Sequence, residues 1–245
     1  MCKVFRCDLH VHTCLSPCAE LDMYPRAVVN RCLDVGLNVI AVCDHNASES
    51  VPYVAKCAEG TPLTILPGME ITSREEVHVL AIFDNTDALF RLQPLIYDHL
   101  PGENDEDAFG CQAIVNENDE VEGINTRLLI GATELPLAVL VGHIHGLGGL
   151  AIAAHIDRES FSVLSQLGFL DPDTPFDALE VSAATGIEGG RKRYPEFAEY
   201  PLIQSSDAHF SRDIGRAFTS IAMKSATVPE LKLAFTGSEG RAILT

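Results

Sequence analysis

The sequence predicts an α/β chain whose parallel strands, joined by helices, close into a barrel carrying one inserted segment. Three observations predict it. Short apolar runs alternate with amphipathic helical patterns along most of the 245 residues. His, Asp or Glu stands directly after several of those runs, at the carboxyl ends of strands, where α/β folds gather function. No G-x-G-x-x-G follows the first strand, which disfavours a dinucleotide-binding sheet, and polar groups supplied by several strands suit a closed barrel mouth.

Residues 4–11 read as the first strand. Residues 25–35 read as a helix, with Pro25 early, Gly36 as the stop, and Val28, Val29, Cys32 and Leu33 on one face. The continuous apolar run 39–43 is what a strand buried on both sides requires, and 48–58 is a helix ended by Gly60. Strands at 63–66 and 77–83 and a helix at 89–100 follow. The rhythm breaks at 101–133. There an acidic loop (Glu103, Asp105, Glu106, Asp107) precedes 112–115 and 121–124, which flank Asn116-Glu117-Asn118-Asp119 as a surface hairpin. A helix at 135–147, strands at 150–154, 178–181, 202–205 and 219–222, and a helix from Pro229 to about 235 complete the chain. One domain, 1–245, with an insertion at about 101–133 is expected.

Seventeen basic against 35 acidic residues give a net charge of -18, a surface that repels polyanions. Arg191-Lys192-Arg193 is the one compact basic cluster and reads as a solvated helix end. Nucleic-acid recognition draws on several phosphate contacts, so a nucleic-acid polymer is not expected as a partner. The eight cysteines could suggest disulfides, but the start shows no signal-peptide pattern and the length needs no staples, so a reducing cytoplasm is expected. The most apolar stretch, 135–154, is broken by His143, His145 and glycines, so no membrane span is expected.

The chemistry is concentrated in Asp8-Leu9-His10-Val11-His12-Thr13. In an extended strand His10 and His12 point the same way with Asp8 beside them, and two imidazoles on one face invite a metal. Cys43-Asp44-His45-Asn46, Gly68-Met69-Glu70, Ala154-His155-Ile156-Asp157-Arg158 and Ser206-Asp207-Ala208-His209 repeat the signal. Asp8, Asp44 and Asp157 are expected to orient histidines by accepting their second ring N–H, though Asp44 can equally cap the next helix. Arg158 and Arg212 follow ligand segments, so each either clamps phosphate or pairs with the acidic surface. His143 and His145 face different sides of a helix, and His99 reads as a helix-end residue.

Together and in order, Asp8-Leu9-His10-Val11-His12-Thr13, Asp44-His45-Asn46, Pro67-Gly68-Met69-Glu70, Val77-His78-Val79-Leu80, Ala154-His155 and Ser206-Asp207-Ala208-His209 resemble the polymerase and histidinol phosphatase (PHP) family. The resemblance covers most of the chain outside about 84–134. It implies a distorted (β/α)7 TIM-like barrel with two or three divalent ions of the zinc, manganese or iron type. His10, His12, Glu70 and Asp207 would surround one ion; Glu70 would bridge to a second held by His78 and His155; a third would rest on His45 and His209. In many relatives a His or Asp in the loop after the first strand completes that third site. Here the loop reads Leu15-Ser16-Pro17-Cys18-Ala19-Glu20, so Cys18 or Glu20 is expected to substitute. A carboxylate can bridge two ions where one imidazole nitrogen cannot, which suits Glu70.

The implied activity is hydrolysis of a small phosphomonoester by a metal-activated hydroxide, with Asp207, His209 and Arg158 catalytic and Arg158 and Arg212 holding substrate. Other classes stay open: an exonuclease or phosphodiesterase, a C–N hydrolase of the amidohydrolase type, or a metal-binding module without turnover. C–N hydrolases that share metals through a modified lysine need one at a strand end, and Lys3, Lys56, Lys192, Lys224 and Lys232 lie at none of the proposed sites.

Overall fold

In the computed structural model, residues 1–244 are described and form β1 (Lys3–Val11), α1 (Pro25–Asp34), β2 (Val39–Val42), α2 (Val51–Ala58), β3 (Thr64–Thr72), β4 (His78–Ile82), α3 (Thr86–Asp98), α4 (Glu106–Phe109), β5 (Ala113–Val115), β6 (Val121–Ile124), α5 (Leu137–Gly146), β7 (Leu150–Ala153), α6 (Val163–Leu167), β8 (Ala178–Val181), α7 (Gly186–Arg193), β9 (Leu202–Gln204), β10 (Thr219–Met223), α8 (Val228–Phe235) and β11 (Ala242–Leu244). The main sheet runs β11-β10-β1-β2-β3-β4-β7-β8-β9. Its seven strands from β1 to β9 curl into a nearly closed barrel, where Ala208 beyond β9 bridges Val11 and accepts the His12 N–H at 3.1 Å. β10 and β11 extend the other side of β1. The expected distorted seven-stranded α/β barrel is therefore present.

It is not uniformly parallel. β4 runs antiparallel to both β3 and β7. The cause is loop length, because β3 extends through Glu70 to Thr72 and only residues 73–77 remain before β4. A parallel crossover needs a dozen or more residues, whereas this turn closes on itself, the Ser73 N–H donating to Val77 O and the Glu76 N–H to Ser73 O. The consequence is functional. His78, the first residue of β4, starts at the same end of the barrel where β3 finishes, paired with Thr72.

Alternation along each strand separates two apolar layers. Ile40, Val42, Val79, Ala81, Ala151, Ala153, Leu179 and Val181 face α1, α2, α3 and α5. Val39, Ala41, Cys43, Leu66, Leu80, Ile82, Leu150, Ile152 and Ala178 fill the barrel, and α8 adds Val228, Leu231 and Phe235 to that inner cluster. β1 breaks the alternation. Its pairing with β2 shifts register between Asp8 and Val11, and Leu9 lies in the inner cluster while Val11 lies in the outer one. A count by twos from Asp8 therefore does not carry through to His10.

Gly68 sits between Leu66 and Glu70 on the inward row of β3. A Cβ there would lie 2.7 Å from Cys43 Sγ and 2.9 Å from Val42 O, so the approach of β2 and β3 excludes any side chain. Gly68→Ala is expected to lower stability by about 1–3 kcal/mol, the usual range for overpacking a tight interior, read as a lower urea midpoint with unchanged slope.

The insertion contains the expected hairpin, β5 paired with β6 as a sheet of its own. It is fastened to the barrel. The Ala113 N–H donates to Cys14 O, and the Asn46 side chain donates to Leu129 O and Gly131 O, both at 2.8 Å. Among the described residues no helix is long and apolar enough to cross a membrane, and all eight cysteines are free thiols.

Candidate metal centre

The inward rows change from apolar to ionisable as they reach the barrel mouth. Leu66 and Gly68 lead to Glu70; Ile82 and Leu80 lead back to His78; Ala178 leads to Glu180; and after the register shift β1 presents His10 and His12. His10, His12, His45, Glu70, His78, His155 and Glu180 are all buried, and Asp207 is nearly so. Three strand-end residues, Asn46, His155 and Asp207, adopt positive φ angles of 49°, 28° and 50°. Each such L-residue costs about 1–3 kcal/mol, a strain retained where the chain must turn a side chain into a site.

His10 Nε2, His12 Nε2, Glu70 Oε2 and Asp207 Oδ1 form a compact donor set. The two imidazole nitrogens are 3.1 Å apart. His10 Nε2 lies 3.3 Å from Glu70 and 3.4 Å from Asp207; His12 Nε2 lies 3.3 and 3.1 Å from the same atoms. Four ligands at about 2.0–2.1 Å around a tetrahedral ion would be separated by roughly 3.3–3.4 Å, so these donors already have the spacing of a metal's coordination shell. Two carboxylate oxygens and two imidazole nitrogens converging at that spacing are a donor set suited to a cation. The residues present therefore fit a divalent ion.

Glu70 is the hub. Its Oε2 also lies 3.1 Å from His45 Nδ1, while Oε1 lies 2.8 Å from His78 Nδ1 and 3.2 Å from His155 Nε2. His45, Glu70 and His78 make a second donor set, and His12, His45 and His209 a third. His45 thus belongs to both, whereas the sequence assigned it only to the third. His155 approaches Glu70 without completing a three-residue set, and its Nδ1 is buried with no hydrogen-bond partner. Cys18 and Glu20 are exposed and join none of these sets; it is the Glu20 backbone N–H that touches the third, donating to His209 O at 2.9 Å.

Burial opposes charge throughout the cluster, and the carboxylates decide where it is overcome. Despite complete burial, Asp207, Glu70 and Glu180 hold His10 well above the ordinary imidazole range. His45 and His78 have their pKa lowered by burial, and His209 falls to about 4 for the same reason. Glu70 and Asp207, though desolvated, stay ionised because His78 and His10 and their neighbours depress them well below the carboxylate range. The site thus combines ionised carboxylates with three imidazoles, His45, His78 and His209, that burial favours as neutral, while the carboxylates raise His10 and His12 against burial, so a metal at the first donor set would displace protons from them.

Sequence reading missed Glu180, an acid inside the apolar run 178–181. Its Oε2 accepts from His10 Nδ1 at 2.9 Å and from the His155 N–H at 3.2 Å, fixing the ring that aims Nε2 at the centre. His12 is held in the same way by Ser16 Oγ at 3.0 Å, which donates to Asp44 at 2.7 Å. Asp44 therefore acts through Ser16 and caps no helix. Asp8 and Asp157 are not histidine partners. Because of the shift in β1, Asp8 accepts the Ser206 and Gly215 N–H groups and burial pushes its pKa up to about 6; Asp157 accepts from Ser182 and Thr185. Glu180→Gln is expected to weaken metal binding by about 10–100-fold with the fold intact, measurable by equilibrium metal titration alongside circular dichroism.

The cluster opens into a pocket of about 150 Å³ walled by Ile130, from the insertion, and Phe161. Arg158 lies at its edge and pairs with Asp207 Oδ2. Arg212 is exposed on a turn and does not line this pocket; its guanidinium lies 4.5 Å from the Phe210 ring centre. His145 pairs with Asp177, and His99 bonds Leu95 O at the end of α3.

Residues 193–235 match the model of a PHP-associated family. Endonuclease Q of Pyrococcus furiosus, a lesion-specific endonuclease, superimposes with a TM-score of 0.75 at 19% identity over 98% of this chain. The fold is that of the endonuclease Q barrel. The chain spans 58% of the length of endonuclease Q. A proposed metal-dependent phosphoesterase from Bifidobacterium adolescentis aligns at TM-score 0.55 and 22% identity, covering 83% of this chain and 87% of that one. An amidohydrolase from Chromobacterium violaceum aligns at 0.58 and 18%, covering 85% and 89%. Comparison with curated protein sequences gives no match.

One expectation is overturned. Endonuclease Q in complex with a 27-mer duplex holds an abasic lesion at its active site and still superimposes at TM-score 0.69 over 98% of this chain. Net charge therefore does not argue against a nucleic-acid partner for this barrel. The whole-chain balance of -18 averages over the surface, whereas a bound strand responds to the field at the mouth alone.

Proposed function

We propose that this chain is a metal-dependent phosphoester hydrolase. The observation that carries the reading is the donor set of His10, His12, Glu70 and Asp207, spaced at 3.1–3.4 Å, with Glu70 shared by His45, His78 and His155. Divalent ions bound there would polarise a phosphoryl group and make water acidic enough to yield a nucleophile near pH 7, against about 15.7 for free water.

The chain's own residues supply the rest. Glu180 and the Asp44–Ser16 pair orient His10 and His12. Arg158 leaves Asp207 and engages the non-bridging phosphoryl oxygens, for which its planar fork is suited. The freed Asp207 Oδ2 accepts the proton of the attacking water, and His209, held neutral, lines the open side. Ile130 and Phe161 keep bulk water from one flank.

The small pocket favours a phosphomonoester. A second reading, cleavage of a nucleic-acid phosphodiester, is favoured by the likeness to endonuclease Q over nearly the whole chain. The test is an activity panel on manganese- or zinc-reconstituted protein: nucleoside and sugar monophosphates beside single- and double-stranded DNA, with and without an abasic site. Metal-dependent monoester turnover is expected. DNA cleavage without monoester turnover would replace the first reading by the second, and no metal-dependent hydrolysis of any phosphoester would remove both.

A further inference from the structure

A second cleft, of about 420 Å³, lies against the metal pocket and shares Arg158 and Asp207 with it. Its walls come from the loops after β7 and β8, the last residue of α7 and the segment after β9. Arg158, Arg193 and Arg216 all line it. Three of the seventeen cationic side chains of a chain at -18 thus meet beside the one place where a substrate phosphate would be processed.

The acids nearby offset them only in part. Asp157 is engaged by the Ser182 N–H at 2.7 Å and by the Ser182 and Thr185 hydroxyls; although partial burial opposes it, these bonds hold its carboxyl below the usual range. Asp207 faces the metal cluster through Oδ1 and pairs with Arg158 through Oδ2, which leaves Arg193 and Arg216 as the cleft's cations free of it. Asp213 lies 3.4 Å from Arg216 in an exposed pair, which is worth little. Arg193 rests over the Tyr194 ring, its Cζ 5.2 Å from the centre, and has no acid within ion-pair distance among the described residues.

We propose that this cleft holds a second phosphate of the substrate, so that the barrel acts on molecules carrying two phosphates. One would lie at the His–carboxylate cluster and the other against Arg193 and Arg216, with Arg158 between them. The inference rests on the hydrolase reading and names its substrate class. Guanidinium groups grip phosphate oxygens through paired N–H donors, and the cleft volume lies in the range of sites for small ligands, enough for a phosphate and the sugar that carries it. The same chemistry is offered by a bisphosphorylated small molecule and by the neighbouring phosphate of a nucleic-acid strand.

The experiment measures dissociation constants by calorimetry on the manganese-supplied full chain for two matched pairs: fructose 6-phosphate against fructose 1,6-bisphosphate, and the dinucleotide dTpT against its 5′-phosphorylated form. In at least one pair the added phosphate is expected to tighten binding tenfold or more, and the pair that responds identifies the source. In R193A/R216A, both changes at exposed positions, that ratio is expected to fall below about two. A ratio near one for both pairs in the unaltered chain, or a ratio that survives R193A/R216A, would overturn the proposal. Turnover of the same compounds is followed separately. An intact ratio without any turnover supports the cleft and removes the hydrolase reading, whereas turnover without a ratio does the reverse.

Discussion

Replacing Glu70 by Gln lowers phosphoester turnover by about a thousandfold or more and removes at least one ion per chain. The expectation follows from the position of the carboxylate. Glu70 presents Oε2 to His10, His12 and His45 and Oε1 to His78 and His155, so no other residue touches as many donors. Gln keeps the volume but supplies no charge, and it turns an N–H₂ donor toward ring nitrogens that need a cation. A thousandfold loss corresponds to about 4 kcal/mol of transition-state stabilisation, within the several kcal/mol that a Lewis acid contributes. Steady-state kinetics with metal analysis on the same preparation checks it. Since Glu70 is ionised and buried, the neutral variant is expected to fold, and urea unfolding of both proteins separates loss of site from loss of structure.

The second large effect is acid release of the metal. In the metal-free protein the carboxylates of Asp207, Glu70 and Glu180 outweigh burial and hold His10 well above the ordinary imidazole range, so it carries a proton at neutral pH. A metal takes the position of that proton. The sign follows directly: below the raised pKa of His10 the ion competes with a bound proton, and apparent affinity falls about tenfold per pH unit for each proton displaced. As pH is lowered through the neutral range the affinity is therefore expected to fall, with proton release on binding. Titration in buffers of different ionisation enthalpy measures that release. Affinity independent of pH over this interval would mean that His10 is already neutral when the metal arrives.

Both effects depend on side chains whose legibility in the sequence differed for physical reasons. His10 and His12 could be paired from strand periodicity because the register shift in β1 falls before them. The same shift defeated the assignment of Asp8, which two-residue alternation placed beside His10 but which binds the Ser206 and Gly215 backbone. His78 was marked by family resemblance. Its arrival at the mouth depends on an antiparallel reversal that the five residues 73–77 impose and that a parallel reading of the barrel concealed. Glu180 is hard to read because a lone acid in a short apolar run carries no motif, although an ionisable side chain on the inward face of a buried strand needs a partner. Arg193 read as solvated; it is exposed, yet α7 ends at the mouth, so its solvent is that of a cleft. Charge counted over the whole chain could not show this, because it records no positions.

The measurement that bears most directly on the centre is elemental analysis of the purified, metal-reconstituted chain after removal of loosely held ions, compared with Glu70→Gln treated identically. Two or more divalent transition-metal ions per chain are predicted, with the variant losing at least one. Less than one ion per chain, unchanged by Glu70→Gln, would contradict the assignment of the His10, His12, Glu70 and Asp207 cluster as a metal centre.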